Sequence, residues 1–337
     1  MPRGAFLLDP SQILHLKCIN WNENNISRRN GQDLILLPNL NHPKVLPMPS
    51  QTAASRFADI FSLVSRSNPD ILTIAHRGLW TAAPENSLTS IRDAAALNVE
   101  IVEIDTQATS DGKLVVIHDA TLDRTSTGTG VISACDLATI RNARLRSGGG
   151  GETASVTDER IPTLEEALEE ARGRIFVNID TKYSRDLPLV IATIKRLDMQ
   201  DQIIIKTDIE PASGHFPVID ADWFGSIPHM PMFRVRPGQF AEDLKLIEPL
   251  RAPMVEVKFS DITDLSGGRE ELKRQNIRLW INTLDVSHNL DFNDSRALGD
   301  PEGVWGTLVE VGVGAVQTDT IAPFKQWLAG HETKRIA

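Results

Sequence analysis

Residues 101–118 read IVEIDTQATSDGKLVVIH, and the alternation within this stretch decides the fold. Side chains two apart on a strand share a face. Glu103, Asp105 and Gln107 therefore point one way, and Val102 and Ile104 the other. A second β-rich run, 114–117, follows after a turn that contains Asp111-Gly112, a pair that favours hairpins. The link is too short for a parallel crossover, which needs about a dozen residues. The second run is therefore predicted to return antiparallel beside the first, bringing His118 roughly opposite Asp105.

Outward from this hairpin, short β-rich runs recur at 71–75, 175–179, 203–205, 232–235, 255–259, 279–282 and 315–317. Amphipathic segments lie between most of them. The segment 163–172 opens with Thr163-x-x-Glu166, a capping box, and places Leu164, Ala167, Leu168 and Ala171 on one face. Strands alternating with helices imply a parallel sheet. Repeated this often, they predict a (β/α)8 barrel of the TIM type, spanning 69–330, with the hairpin at its second strand.

Residues 1–68 differ. A polar stretch at 20–33 and four prolines between Pro38 and Pro49 read as irregular structure, with a short helix over 56–65. This part is expected to be an N-terminal extension that packs on the barrel. The glycine run Gly148–Gly151 lacks a following Gly-Lys-Ser/Thr, so it reads as a flexible surface loop and not a phosphate cradle.

The chain has 337 residues, a formal net charge of −10 and only two cysteines, Cys18 and Cys135. The charge argues against nucleic acid as a partner. The sparse cysteines fit a reducing compartment. No apolar run approaches the roughly 20 residues that span a bilayer, and the N-terminus does not read as a signal peptide. A soluble cytoplasmic protein is expected. Oligomeric state is not readable from the sequence.

The chemistry gathers at strand ends. Glu103, Asp105 and Asp180 would be costly to bury together without a cation. A hard divalent ion on carboxylate oxygens removes that cost, and no zinc pattern is present. Lys206, Arg234 and Lys258 end later strands, either as ordinary surface charge or as recognition groups. If they face the mouth, they suit a polar or doubly anionic substrate.

The sequence resembles the glycerophosphodiester phosphodiesterases. The resemblance rests on Ala75-His76-Arg77-Gly78, Pro84-Glu85-Asn86-Ser87, Glu103-Ile104-Asp105 and Val116-Ile117-His118-Asp119. It continues in Leu122-Asp123-Arg124-Thr125, Asn178-Ile179-Asp180-Thr181-Lys182, Leu279-Trp280-Ile281-Asn282 and Gln317-Thr318-Asp319. It covers about 71–325, weakly between 207 and 270.

The resemblance implies hydrolysis of a small-molecule phosphodiester to an alcohol or sugar and a phosphomonoester. His76 and His118 would be the acid–base pair, and Glu103, Asp105 and Asp180 would hold Mg2+ or Ca2+. Arg77 and Lys182 would grip the phosphate, Glu85 would steady the His76 loop and Trp280 would lie beside the substrate. Asp180 stands where the family usually has Glu. The resemblance extends to enzymes that cleave sugar phosphodiesters such as agrocinopines. Two other outcomes stay open: a noncatalytic phosphodiester-binding relative, and a synthase or lyase on the same barrel.

Overall fold

The computed structural model describes residues 60–331, and the expectations for 1–59 lie outside them. Eight parallel strands close into a barrel in the order β1-β9-β8-β7-β6-β5-β4-β2, with β1 pairing back onto β2. These strands are β1 (Leu72–His76), β2 (Ile101–Ala108), β4 (Phe176–Thr181), β5 (Ile203–Asp208), β6 (His229–Arg234), β7 (Met254–Lys258), β8 (Arg278–Asn282) and β9 (Val313–Thr318). The ninth, β3 (Leu114–Val116), runs antiparallel to β2.

The hairpin has a simple cause. β1 ends at the pair His76–Glu103, so the upper half of β2 has a free edge on that side. β3 pairs there, with Thr106 opposite Val116, and Ile117 N–H donates to the Asp105 carbonyl at 3.0 Å. His118 follows directly.

Strand parity splits the core in two. Outward-facing residues such as Val102, Ile104, Val177 and Ile179 meet the surrounding helices. The Thr163 hydroxyl caps the helix Leu164–Ala171, with Glu166 reaching back to the Thr163 N–H. Inward-facing Ile74, Ile101, Phe176, Ile204, Met230, Met254, Trp280 and Ala315 fill the lower barrel.

Ile60 and Val64, on the helix Ile60–Val64, join that lower cluster and are fully buried. Arg278 secures this end. Its buried guanidinium donates to the carbonyls of Val64, Ser65, Asn68, Asp70 and Gly314 at 2.7–3.0 Å. Desolvation pushes its pKa down to about 10, which leaves it charged at neutral pH.

On the outer face of β6, His229 is buried beside Trp223 and Phe224. Its Nε2 pairs with the Thr207 hydroxyl at 2.8 Å, and its Nδ1 has no hydrogen bond. Burial pushes its pKa down to about 4. The unfolded chain, with an ordinary value near 6.5, takes up the proton first. The stability contribution is therefore complete above pH ~6.5 and falls as pH drops towards ~4, by about 3 kcal/mol in all. Asp294, raised to about 6 by burial, gives an opposite slope over an overlapping window. The readout is thus a difference: urea melts at pH 4–7 should show His229→Gln losing less stability on acidification than the parent. Parallel pH profiles would contradict this.

Candidate active site

The C-terminal ends of the strands surround a cavity of about 570 Å³. Its wall holds His76, Arg77, Glu103, Asp105, His118, Asp180 and Lys182, which the sequence places on four separate segments.

Glu103, Asp105 and Asp180 each offer an oxygen within 4.8 Å of the others. Glu103 and Asp105 share a face of β2, and Asp180 lies opposite Asp105 in the β2–β4 register. Burial pushes Glu103 up, and the charge of Asp105 adds to this. Asp105 is also buried, but Lys182 and Arg77 hold it well below the usual carboxylate range. Asp180 is lowered too, because Lys206 and Lys182 outweigh its burial. Three hard oxygen donors at this spacing fit a divalent cation.

Three cations touch this cluster, the first being Arg77, whose Nε lies 3.3 Å from Asp105. Lys182 Nζ lies 2.6 Å from Asp105 and 3.1 Å from Asp180. Lys206 is a site residue whose position the sequence left open. Its buried Nζ sits 3.5–3.7 Å from Glu103, Asp180 and Glu256. Those carboxylates raise its pKa well above the ordinary value despite burial.

The two histidines are held alike. His76 Nδ1 pairs with Asp319 at 2.7 Å, and His118 Nδ1 with Asp119 at 2.8 Å. With Nδ1 engaged by a carboxylate, Nε2 is the nitrogen left for chemistry on each ring. Burial opposes protonation of His76, but Asp319 and Glu103 outweigh it and raise its pKa. Asp319 is fixed in turn by Asp294, which accepts its backbone N–H at 2.7 Å and the hydroxyls of Thr283 and Thr318.

Glu85 joins the two halves of the site. Its carboxylate accepts from Arg77 at 3.0 Å and from both terminal nitrogens of Arg124 at 2.7 and 2.9 Å. Arg124 also grips both oxygens of Asp119, at 2.7 and 2.8 Å. Asn86 and Asp105 exchange hydrogen bonds, with Asn86 Nδ2 donating to Asp105 Oδ2 at 2.8 Å and Asp105 N–H donating to Asn86 Oδ1 at 3.1 Å. The loop after β1 is bent to allow this: Arg77 sits at φ +57° and Asn86 at +55°. Gly78 follows at φ +87°, where a Cβ would lie 2.4 Å from the Ser90 hydroxyl.

One expectation needs correction. Trp280 does not line the cavity: it is fully buried in the lower barrel, and its Nε1 donates to Asn282 Oδ1 at 2.8 Å. Parity aims it inward, but two residues short of the mouth, where Asn282 stands instead. The glycine run lies in a partly exposed loop, and it packs on Arg124. Gly151 N–H donates to the Arg124 carbonyl at 2.7 Å, and a Cβ on Gly150 would lie 2.3 Å from that oxygen. The run buttresses Arg124.

A family model described as the glycerophosphoryl diester phosphodiesterase family matches residues 76–206, the segment that holds His76, the three carboxylates, His118 and Lys182. Over residues 76–206 this chain is similar to the glycerophosphoryl diester phosphodiesterase family. A model for a domain of unknown function matches 229–328. A glycerophosphodiester phosphodiesterase from Caldanaerobacter subterraneus is 37% identical over 142 residues, which cover 40% of this chain and 57% of that protein. Mouse glycerophosphodiester phosphodiesterase 1 is 37% identical over 143 residues, covering 42% and 40%. The chain therefore spans roughly half the length of these relatives.

Solved structures extend the likeness in fold. A Parabacteroides distasonis glycerophosphoryl diester phosphodiesterase has TM-score 0.63 at 23% identity, over 80% of this chain and 91% of its own. An Oleispira antarctica phosphodiesterase, solved with its product sn-glycerol-3-phosphate, has TM-score 0.57 at 22% identity, over 78% and 98%.

Proposed function

We propose that this protein is a metal-dependent glycerophosphodiester phosphodiesterase, releasing an alcohol and a phosphomonoester. The observation that carries the reading is the pair of carboxylate-held histidines that share one cavity with the cluster Glu103, Asp105 and Asp180.

Phosphodiester cleavage needs three things: neutralised nonbridging oxygens, a deprotonated nucleophile and a protonated leaving oxygen. A divalent ion, Mg2+ or Ca2+, held by Glu103, Asp105 and Asp180 would supply part of the first as a Lewis acid. Arg77 and Lys182 supply the rest from the cavity wall. His76 and His118 divide the two proton transfers through Nε2. Asp319 and Asp119 keep each ring in the Nδ1–H tautomer that such transfers require. The P–O bond to the nucleophile forms as the ester P–O bond breaks, and the departing alkoxide takes the proton. Glu85 and Arg124 hold the two histidine segments together. Among the described residues, no helix is long and apolar enough to cross a membrane.

A synthase or lyase on the same barrel would end at a cyclic phosphate or a transferred phosphoryl group. Phosphorus NMR of the products separates these. The expected result is a phosphomonoester as the final species from a glycerophosphodiester or a sugar phosphodiester. A cyclic phosphate that persists would contradict hydrolysis.

A further inference from the structure

The cavity wall holds positive charge that no carboxylate of the site answers.

The unanswered cations can be located. Arg77, Lys182 and Lys206 are all paired with carboxylates of the metal cluster. Arg234 and Lys258 are not. They are cross-strand neighbours at the ends of β6 and β7, both exposed, and neither has an ion-pair partner among the described residues. In the barrel order, β7 lies directly across from β2, which carries Glu103 and Asp105, and β6 is its neighbour. The free cations thus face the reacting end from the far side of the same mouth.

A cationic alcohol suits this wall poorly. Phe233 is the one phenyl or indole ring in the wall, too few for an aromatic cage around a quaternary ammonium. Two unpaired cations would also repel it.

We propose that Arg234 and Lys258 form a subsite for a second anionic group, a carboxylate or a phosphate, carried by the alcohol of the phosphodiester. The proposal rests on the phosphodiester reading of the site, and its test is kept separate from turnover. Glycerophosphoserine and glycerophosphoethanolamine differ by one carboxylate. Calorimetric titration into the Mg2+-loaded His118→Ala protein measures both affinities with the catalytic histidine removed.

Charge-assisted hydrogen bonds to the carboxylate are expected to favour glycerophosphoserine by about tenfold. In the same background, the pair Arg234→Gln and Lys258→Gln should bring the ratio to within about threefold. Both side chains are exposed, so the fold should tolerate the change. Equal affinities overturn the proposal, as does failure of both ligands to bind. A preference that survives the double substitution also overturns it, since the carboxylate would then be held elsewhere. If the preference behaves as expected but the parent protein turns over neither ester, the catalytic reading fails and the subsite stands.

Discussion

Replacing His76 with alanine is expected to lower kcat on a glycerophosphodiester by about 10²- to 10⁴-fold, the range for loss of a general acid or base. The ring is nearly sealed, pinned through Nδ1 by Asp319, and borders the cavity beside Glu103. No described neighbour can take over its proton at that position, because His118 stands on a separate segment held by Asp119. The melting temperature should change little by comparison, since the imidazole contributes one side-chain hydrogen bond to the fold. Asp319→Asn gives a second readout. Asp319 raises the pKa of His76, so the limb of the pH–rate profile governed by His76 should move to lower pH. An unchanged kcat in His76→Ala would remove the ring from the chemistry.

The largest expected effect on stability is at the other end of the barrel. Arg278→Met should destabilise the fold by about 3–5 kcal/mol, read as a lower urea midpoint. Methionine fills much of the volume but donates nothing. The carbonyls of Val64, Ser65, Asn68, Asp70 and Gly314 would lose the donors they now share. Each buried acceptor left alone costs about 1–3 kcal/mol, partly relieved by water entering at this end. Arg278→Lys should fall between the two, because an ammonium has three donors and no planar fork. A midpoint shift worth less than about 1 kcal/mol in Arg278→Met would mean the segment 60–70 is held by its apolar contacts alone.

The barrel was legible because its strands obey two rules that sequence displays directly: alternation by face and a crossover between parallel neighbours. The hairpin at Asp111-Gly112 was legible for the same reason, since a link that short excludes a crossover. The start of β6 was hidden, because Pro231 sits inside the strand and His229 before it reads as a polar break. Within the site, Glu103, Asp105 and Asp180 stood out because like charges on inward faces call for a cation.

Lys206 did not stand out. It ends an apolar run and reads equally well as a solvated strand end, and only the closure of the barrel brings it to Glu103 and Glu256. Asp319 is 243 positions from His76 in sequence, so their pairing exists only once β1 and β9 are adjacent. Trp280 shows the limit of parity: it gives the face of a residue correctly but not its depth along the barrel axis.

The most direct measurement is release of sn-glycerol 3-phosphate from glycerophosphoserine by the full chain, first stripped of metal with a chelator and then resupplied. The account predicts no release after stripping and recovery with Mg2+ or Ca2+. It predicts no recovery in Glu103→Gln, where one oxygen ligand of the cluster is neutralised. Undiminished release in the chelator, or full activity in Glu103→Gln, would contradict it.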